Sequence, residues 1–237
     1  MSIKTVLGTS GIAIVFLFGF SNIAFASVMD FNNLPASPNG IVDSGVTINQ
    51  NGFTITDTTA GVQTFNTQFE AAASGWQNGR GTDNGTTTVG MESRNSSTPI
   101  TFTLASQTAA PFNLASIDIG SLDANDPQFY NSIATKWTFL GNLLGGGTVS
   151  ETIDTDPNNI LTYSLNSTFQ NLTSVSITAE LPVMGISISN GAGLSADFDN
   201  IVATDAAVPE PATWALMIAG FGLAGGVLRR RRLLDAA

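Results

Sequence analysis

Short runs alternating apolar and polar at period two, with little that could build a long helix, narrow this chain's fold more than any other feature. Ile100-Thr-Phe-Thr-Leu104 alternates without a break, and Ile133, Thr135, Trp137 and Phe139 fall on one side of a strand pattern. Val46-Thr-Ile48, Gly52-Phe-Thr-Ile55, Ile117-Asp-Ile119, Thr148 to Ile153, Val175-Ser-Ile177, Ile186-Ser-Ile188 and Phe198 to Val202 repeat the theme. Alternation puts one side of each run toward a core and the other toward water. Gly145-Gly146-Gly147, Asp156-Pro157-Asn158-Asn159 and Asn190-Gly191 punctuate the runs with turn chemistry. The body is rich in Thr, Ser, Asn and Gly and poor in Lys, Arg and Glu, the charged residues with good helix propensity. Many short strands at this spacing predict an all-β antiparallel sandwich, with Trp137 and Phe139 as inward anchors.

The two ends obey different rules. Lys4, an apolar stretch from Val6 to Phe20 and the small-residue pair of Ala24-Phe-Ala26 form a secretory leader, residues 1–26, with Ser27 the first mature residue. An uncleaved anchor is the alternative. At the other end, Pro209 and Pro211 hold an extended segment, since each ring fixes φ and removes an N–H. Trp214 to Leu228 carries no charge and suits a helix in lipid. Its 15 residues reach ~22 Å at helical rise. That falls short of a ~30 Å hydrocarbon layer, so a spanning segment has to extend over 212–228 with help from snorkelling arginines. Arg229, Arg230, Arg231 and Arg232 follow as a cytoplasmic-side stop.

Between the ends lie 181 residues, 27–207, enough for one domain with its own core. The chain has no cysteine, so an exported body has no disulfides and relies on packing. Three bases, Arg80, Arg94 and Lys136, stand against 16 of the chain's 18 acids, a body charge of −13. Such a surface repels DNA, RNA and anionic membranes, which excludes nucleic acid as a partner.

Absences limit the chemistry further. Without His or Cys there is no Ser-His-Asp or Cys-His apparatus and no ordinary zinc site. No phosphate-cradling Gly-rich motif occurs. A glycosidase would need two facing carboxyls from among Glu70, Glu92, Glu151 and Glu180 and the aspartates, and nothing in the sequence sets two of them opposite each other. No residue is therefore assigned as catalytic. Clustered oxygens better suit a structural Ca2+: Asp154 and Asp156 on one loop, and Asp30 with Asp199 as a clip between the first and last strands. Such loops are also ordinary turn sequences. For a sugar, the candidate is Trp76 with Asn78, Arg80 and Asp83, in a long loop over Gly75 to Thr88. The competing reading has Trp76 plugging the edge of the core.

Pro209-Glu210-Pro211, a two-residue spacer, Trp214-Ala215, a short apolar helix and an arginine cluster together resemble the PEP-CTERM sorting signal in its PEPxxWA variant, over 208–237. The resemblance implies an exported substrate of a membrane-embedded exosortase. Recognition would rest on Pro209, Glu210, Pro211, Trp214 and Ala215, with passage through the inner membrane and then transfer to the cell surface or extracellular matrix. The body also resembles, more loosely, ectodomains with a jelly roll of the galactose-binding or carbohydrate-binding-module kind. Phe31-Asn-Asn-Leu34, Trp137 to Gly141, Phe169 to Ile177 and Phe198-Asp-Asn-Ile201 carry that likeness. It implies a lectin-like sandwich with its first and last strands side by side. The expected function is a non-enzymatic surface or matrix protein that binds exopolysaccharide. The alternatives are a carbohydrate-active enzyme and a permanently anchored membrane protein.

Overall fold

The computed structural model describes residues 26–36, 41–59, 69–72, 84–93, 99–120, 134–156, 158–181, 194–206 and 217–223. The chain divides into two compact units, Ala24–Ala206 on one hand and Met1–Ile23 with Ala207–Ala237 on the other. The described residues of the larger unit form thirteen strands. They are β1 (Ala26–Met29), β2 (Ile41–Asp43), β3 (Thr47–Gln50), β4 (Phe53–Asp57), β5 (Glu70–Ala72), β6 (Thr88–Ser93), β7 (Ile100–Ser106), β8 (Phe112–Gly120), β9 (Lys136–Leu143), β10 (Thr148–Asp154), β11 (Leu161–Ser164), β12 (Leu172–Glu180) and β13 (Leu194–Asp205).

All pairings are antiparallel, and they resolve into two sheets. The first runs β2-β5-β6-β13-β8-β11, with β1 continuing the β6 side of β13. The second runs β3-β4-β7-β12-β9-β10. A single bridge, Leu172 to Phe112, joins them. Alternation does what the sequence expects. In β7, Ile100, Phe102 and Leu104 are buried while Thr101 and Thr103 are not, and in β12 Val175, Ile177 and Ala179 repeat the pattern.

The two inner faces meet through aromatic rings. Phe102 of the second sheet stacks on Phe198 of the first with centroids 4.5 Å apart, and Trp137 meets Phe102 edge-on at 6.3 Å. Phe53 and Phe112 make a further crossing at 5.4 Å. Edge-to-face and stacked pairs of this kind add about 0.5–1.5 kcal/mol each beyond area burial. Trp137 and Phe139 are fully buried, as their pattern predicts. The result is a β-sandwich, closed by the packing of its inner faces and the Leu172–Phe112 bridge.

Two paired strands break parity together, β13 and β8, the latter burying Phe112 and Leu114 and then Ile117 and Ile119. In β13 the core residues are Leu194, Ala196 and Phe198, then Ile201 and Ala203. Asn200 has φ of 44° within the irregular stretch, where the register against β8 shifts between Asp199 and Val202 and shifts back between Val202 and Ala203. Left-handed backbone is tolerated by Asn, and a bulge there returns the following residues to the core side. The first and last strands are neighbours, with Ala26 opposite Thr204 and Met29 opposite Ile201. β1 therefore starts on the residue after which leader cleavage is expected. Ile133, Ile186 and Ile188 lie outside the described residues. Thr88, read from sequence as the end of a loop, opens β6 instead, because its backbone joins the β5 pairing at Ala72.

In the second unit, residues 217–223 form a helix whose Met217, Ile218, Phe221 and Leu223 are all exposed. No helix among the described residues is long and apolar enough to cross a membrane. The rest of the expected 212–228 segment lies outside them.

Candidate functional site

The outer faces of the two sheets carry the polar side chains that alternation excludes from the core, and they differ in kind. On the first sheet, residues 194–199 of β13 are buried on both sides, so Ser195, Asp197 and Asp199 occupy a covered polar layer. Asp199 accepts from Asn84 Nδ2 at 2.7 Å and Thr86 Oγ1 at 2.6 Å, and from the backbone N–H of Asn200 at 2.7 Å. Asn200 Nδ2 then donates to Asp118 Oδ2 at 2.8 Å, and Thr162 Oγ1 to Asp118 Oδ1 at 2.5 Å. The αL bulge at Asn200 is thus what links the two carboxylates. Burial pushes the Asp199 carboxyl above its usual range, and Asp118 adds to this; the amide and hydroxyl donors oppose it. Thr88 Oγ1 and Ser195 Oγ are buried in the same region without a hydrogen-bond partner among the described residues.

The second sheet's outer face is open. One row crosses four neighbouring strands as Thr101, Thr178, Thr138 and Thr152. The next runs Thr47, Thr56, Thr103, Ser176, Leu140 and Ser150, and beyond it come Asn49, Thr54 and Ala105 on one flank and Ser174, Asn142 and Thr148 on the other. None of these residues is charged, and every one is at least partly exposed. Hydroxyls pair along the rows: Thr101 with Thr178 at 3.2 Å, Thr138 with Thr152 at 3.2 Å, and Asn142 Nδ2 donates to Ser174 Oγ at 2.9 Å. Charge resumes at one border, where Lys136 and Glu180 form an ion pair at 2.7 Å and Asp154 lies opposite Lys136.

The residues singled out from sequence fall in several places. Trp76, Asn78, Arg80 and Asp83 lie outside the described residues, as do Ala24, Pro209, Glu210, Pro211, Trp214, Ala215 and Arg229 to Arg232. Asp30 accepts from Gln50 Nε2 at 2.8 Å, and Asp199 is held as above. Asp156 closes its own turn, accepting from the Asn158 N–H and Asn159 Nδ2, which draws its carboxyl below the usual range. Asp154 sits at the end of β10. No group of three or more acidic side chains among the described residues is placed to hold a metal ion. Of the glutamates weighed for catalysis, Glu151 accepts from the backbone and side chain of Asn166 and Glu180 pairs with Lys136. Both tie elements of the sandwich together. The Asn84, Thr86 and Asn200 contacts to Asp199 have no local sequence signal, since the partners lie more than a hundred positions apart or depend on the left-handed backbone at Asn200.

The tail decides the classification. Residues 207–232 match the family model of the PEP-CTERM protein-sorting motif. The chain carries a PEP-CTERM sorting signal. The PEP-CTERM segment begins one residue after Ala206, the last described residue of the sandwich, and it implies processing by an exosortase, export and sorting at a membrane. No curated protein matches the chain. Among solved structures, a mutant of the family 29 carbohydrate-binding module CBM29-2 complexed with mannohexaose is similar at 12% identity, over 78% of this chain and 94% of its own, with TM-score 0.33. A DUF4465 family protein from Bacteroides caccae is similar at 16% identity over 76% and 98%, with TM-score 0.38. An exo-beta-agarase is similar at 11% identity over 78% of this chain and 25% of its own, with TM-score 0.36.

Proposed function

We propose that this chain is an exported, exosortase-processed β-sandwich of the cell surface or extracellular matrix, that it performs no catalysis, and that it binds exopolysaccharide. The observation that carries the reading is the PEP-CTERM motif joined directly to the last strand of an acidic sandwich. The leader delivers the chain across the inner membrane, and the tail presents Pro209-Glu210-Pro211 to the processing enzyme while the arginines hold the helix back. Cleavage at both ends leaves a body of about 180 residues whose charge of −13 keeps it soluble. Glu151 and Glu180 serve as structural ties, which supports a binding role over hydrolysis.

Intact-mass spectrometry of the protein recovered from the cell surface and medium tests this. The expected species begins at Ser27 and ends near Pro209. A surface-located protein that retains Arg229 to Arg232 would overturn sorting in favour of permanent anchorage. Release of reducing ends from the producing organism's exopolysaccharide would overturn the non-catalytic reading.

A further inference from the structure

The geometry points to the outer face of the second sheet as a docking surface for an uncharged polysaccharide chain; this rests on the polysaccharide-binding reading and names its surface and its ligand class. Charge is the first argument. A body with three bases and sixteen acids has a face spanning β3, β4, β7, β12, β9 and β10 on which the two rows and the flanks beyond them hold no charge at all. An anionic polymer gains no cation there and meets the field of the rest of the body. A neutral one avoids both costs. Chemistry is the second. Hydroxyls and amides donate and accept at once, as do the hydroxyls of a sugar, and Thr101 to Thr178 and Thr138 to Thr152 use only part of that capacity on each other. Leu140, exposed on the middle row one strand in from the β10 edge, offers an apolar patch to the C–H face of a sugar ring.

Preorganisation is the third. Threonine is stiff at χ1, so a row fixed by strand pairing loses little freedom when a ligand settles on it. Rows repeat at about 4.8 Å between strands and ~6.8 Å along them, a grid suited to an extended polymer with repeating hydroxyls. The face also belongs wholly to the sheet that contains neither terminal strand, so the chain ends leave the sandwich elsewhere.

The test uses the mature secreted protein in depletion assays against insoluble mannan and agarose, both neutral, with alginate as the anionic comparison. Retention by at least one neutral polymer is expected, persisting at ~1 M NaCl, where the Debye length is about 3 Å. Ser150→Glu and Thr138→Glu are expected to weaken it roughly tenfold or more, because a charge must be desolvated against the ligand. Thr138→Ser is expected to retain it, and Ala115→Glu, which places the same charge at an exposed position of β8, to leave it unchanged. Melting curves confirm that each variant folds. Retention undiminished in Ser150→Glu and Thr138→Glu would overturn this surface while leaving polysaccharide binding intact. Binding to alginate alone would overturn the neutral class. No binding to any of the three would remove both readings together. A wild-type dimer that Ser150→Glu converts to monomer, seen by sedimentation, would assign the face to self-association and overturn the proposal.

Discussion

The outer faces of the two sheets start from the same rule and end in opposite conditions. Both take their polar residues from period-two alternation. On the first, hydrogen bonds span long stretches of chain: Asn84 to Asp199 bridges 115 positions and Asn200 to Asp118 bridges 82. Those bonds close large loops and sit in a buried layer, so they serve the fold. On the second, side-chain bonds join residues already adjacent through strand pairing, from Thr138 and Thr152, 14 apart, to Thr101 and Thr178, 77 apart, and the groups stay within reach of solvent. A polar outer face therefore does not have one meaning. Burial separates the face that holds the protein together from the face free to hold something else.

Removing what both sheets share should have the largest effect. Phe198→Ala deletes the ring stacked on Phe102 and should cost about 3–5 kcal/mol, read as a lowered midpoint in urea. Both faces would then fail together. Asp199→Ala separates them: it leaves the donors of Asn84, Thr86 and the Asn200 N–H without an acceptor. A loss of about 2–3 kcal/mol is expected, with polysaccharide retention by the folded fraction unchanged.

A pH series sharpens the same contrast. The folded-state pKa of Asp199 is raised above its unfolded value near 4, so the native state holds the extra proton. Stability contributed by this group should be greatest below that value and fall as pH rises through the raised pKa, then level off. Asp199→Asn should flatten that part of the curve, and a steeper fall in the variant would contradict the assignment. Thr138→Ala should give the smallest change, within about 0.5 kcal/mol, since the site is partly exposed and loses one solvent-competed hydroxyl pair. A larger loss would show the second face to be structural as well.

Much of the sandwich could be read from the chain because its alternation is local. Ile100 to Leu104, Thr148 to Ile153 and the Trp137–Phe139 pair carry their facing in a few residues. The β3–β4 hairpin carries an equally local signal in Asn51-Gly52: both have positive φ between strands in register, which is the demand of a two-residue turn. The shift at Asn200 was not legible, since a bulge changes which residues face inward without changing their composition. The hydroxyl rows were hidden for a related reason. Thr101, Thr138, Thr152 and Thr178 are scattered through the chain, and only register makes them neighbours. The sorting motif was legible because the match over residues 207–232 is one contiguous run, which needs no fold to bring its residues together.

The pairing of β1 with β13 has a mechanical result. Ala26 and Thr204 lie across from each other, so the sandwich's incoming and outgoing chain leave from one pole. In a precursor held at both ends, tension would load the rungs of that pair in succession, like a zipper drawn from its open end, and not all at once as in shear. The strand that completes the sheet is then the one most easily peeled away until the pull at either end is released.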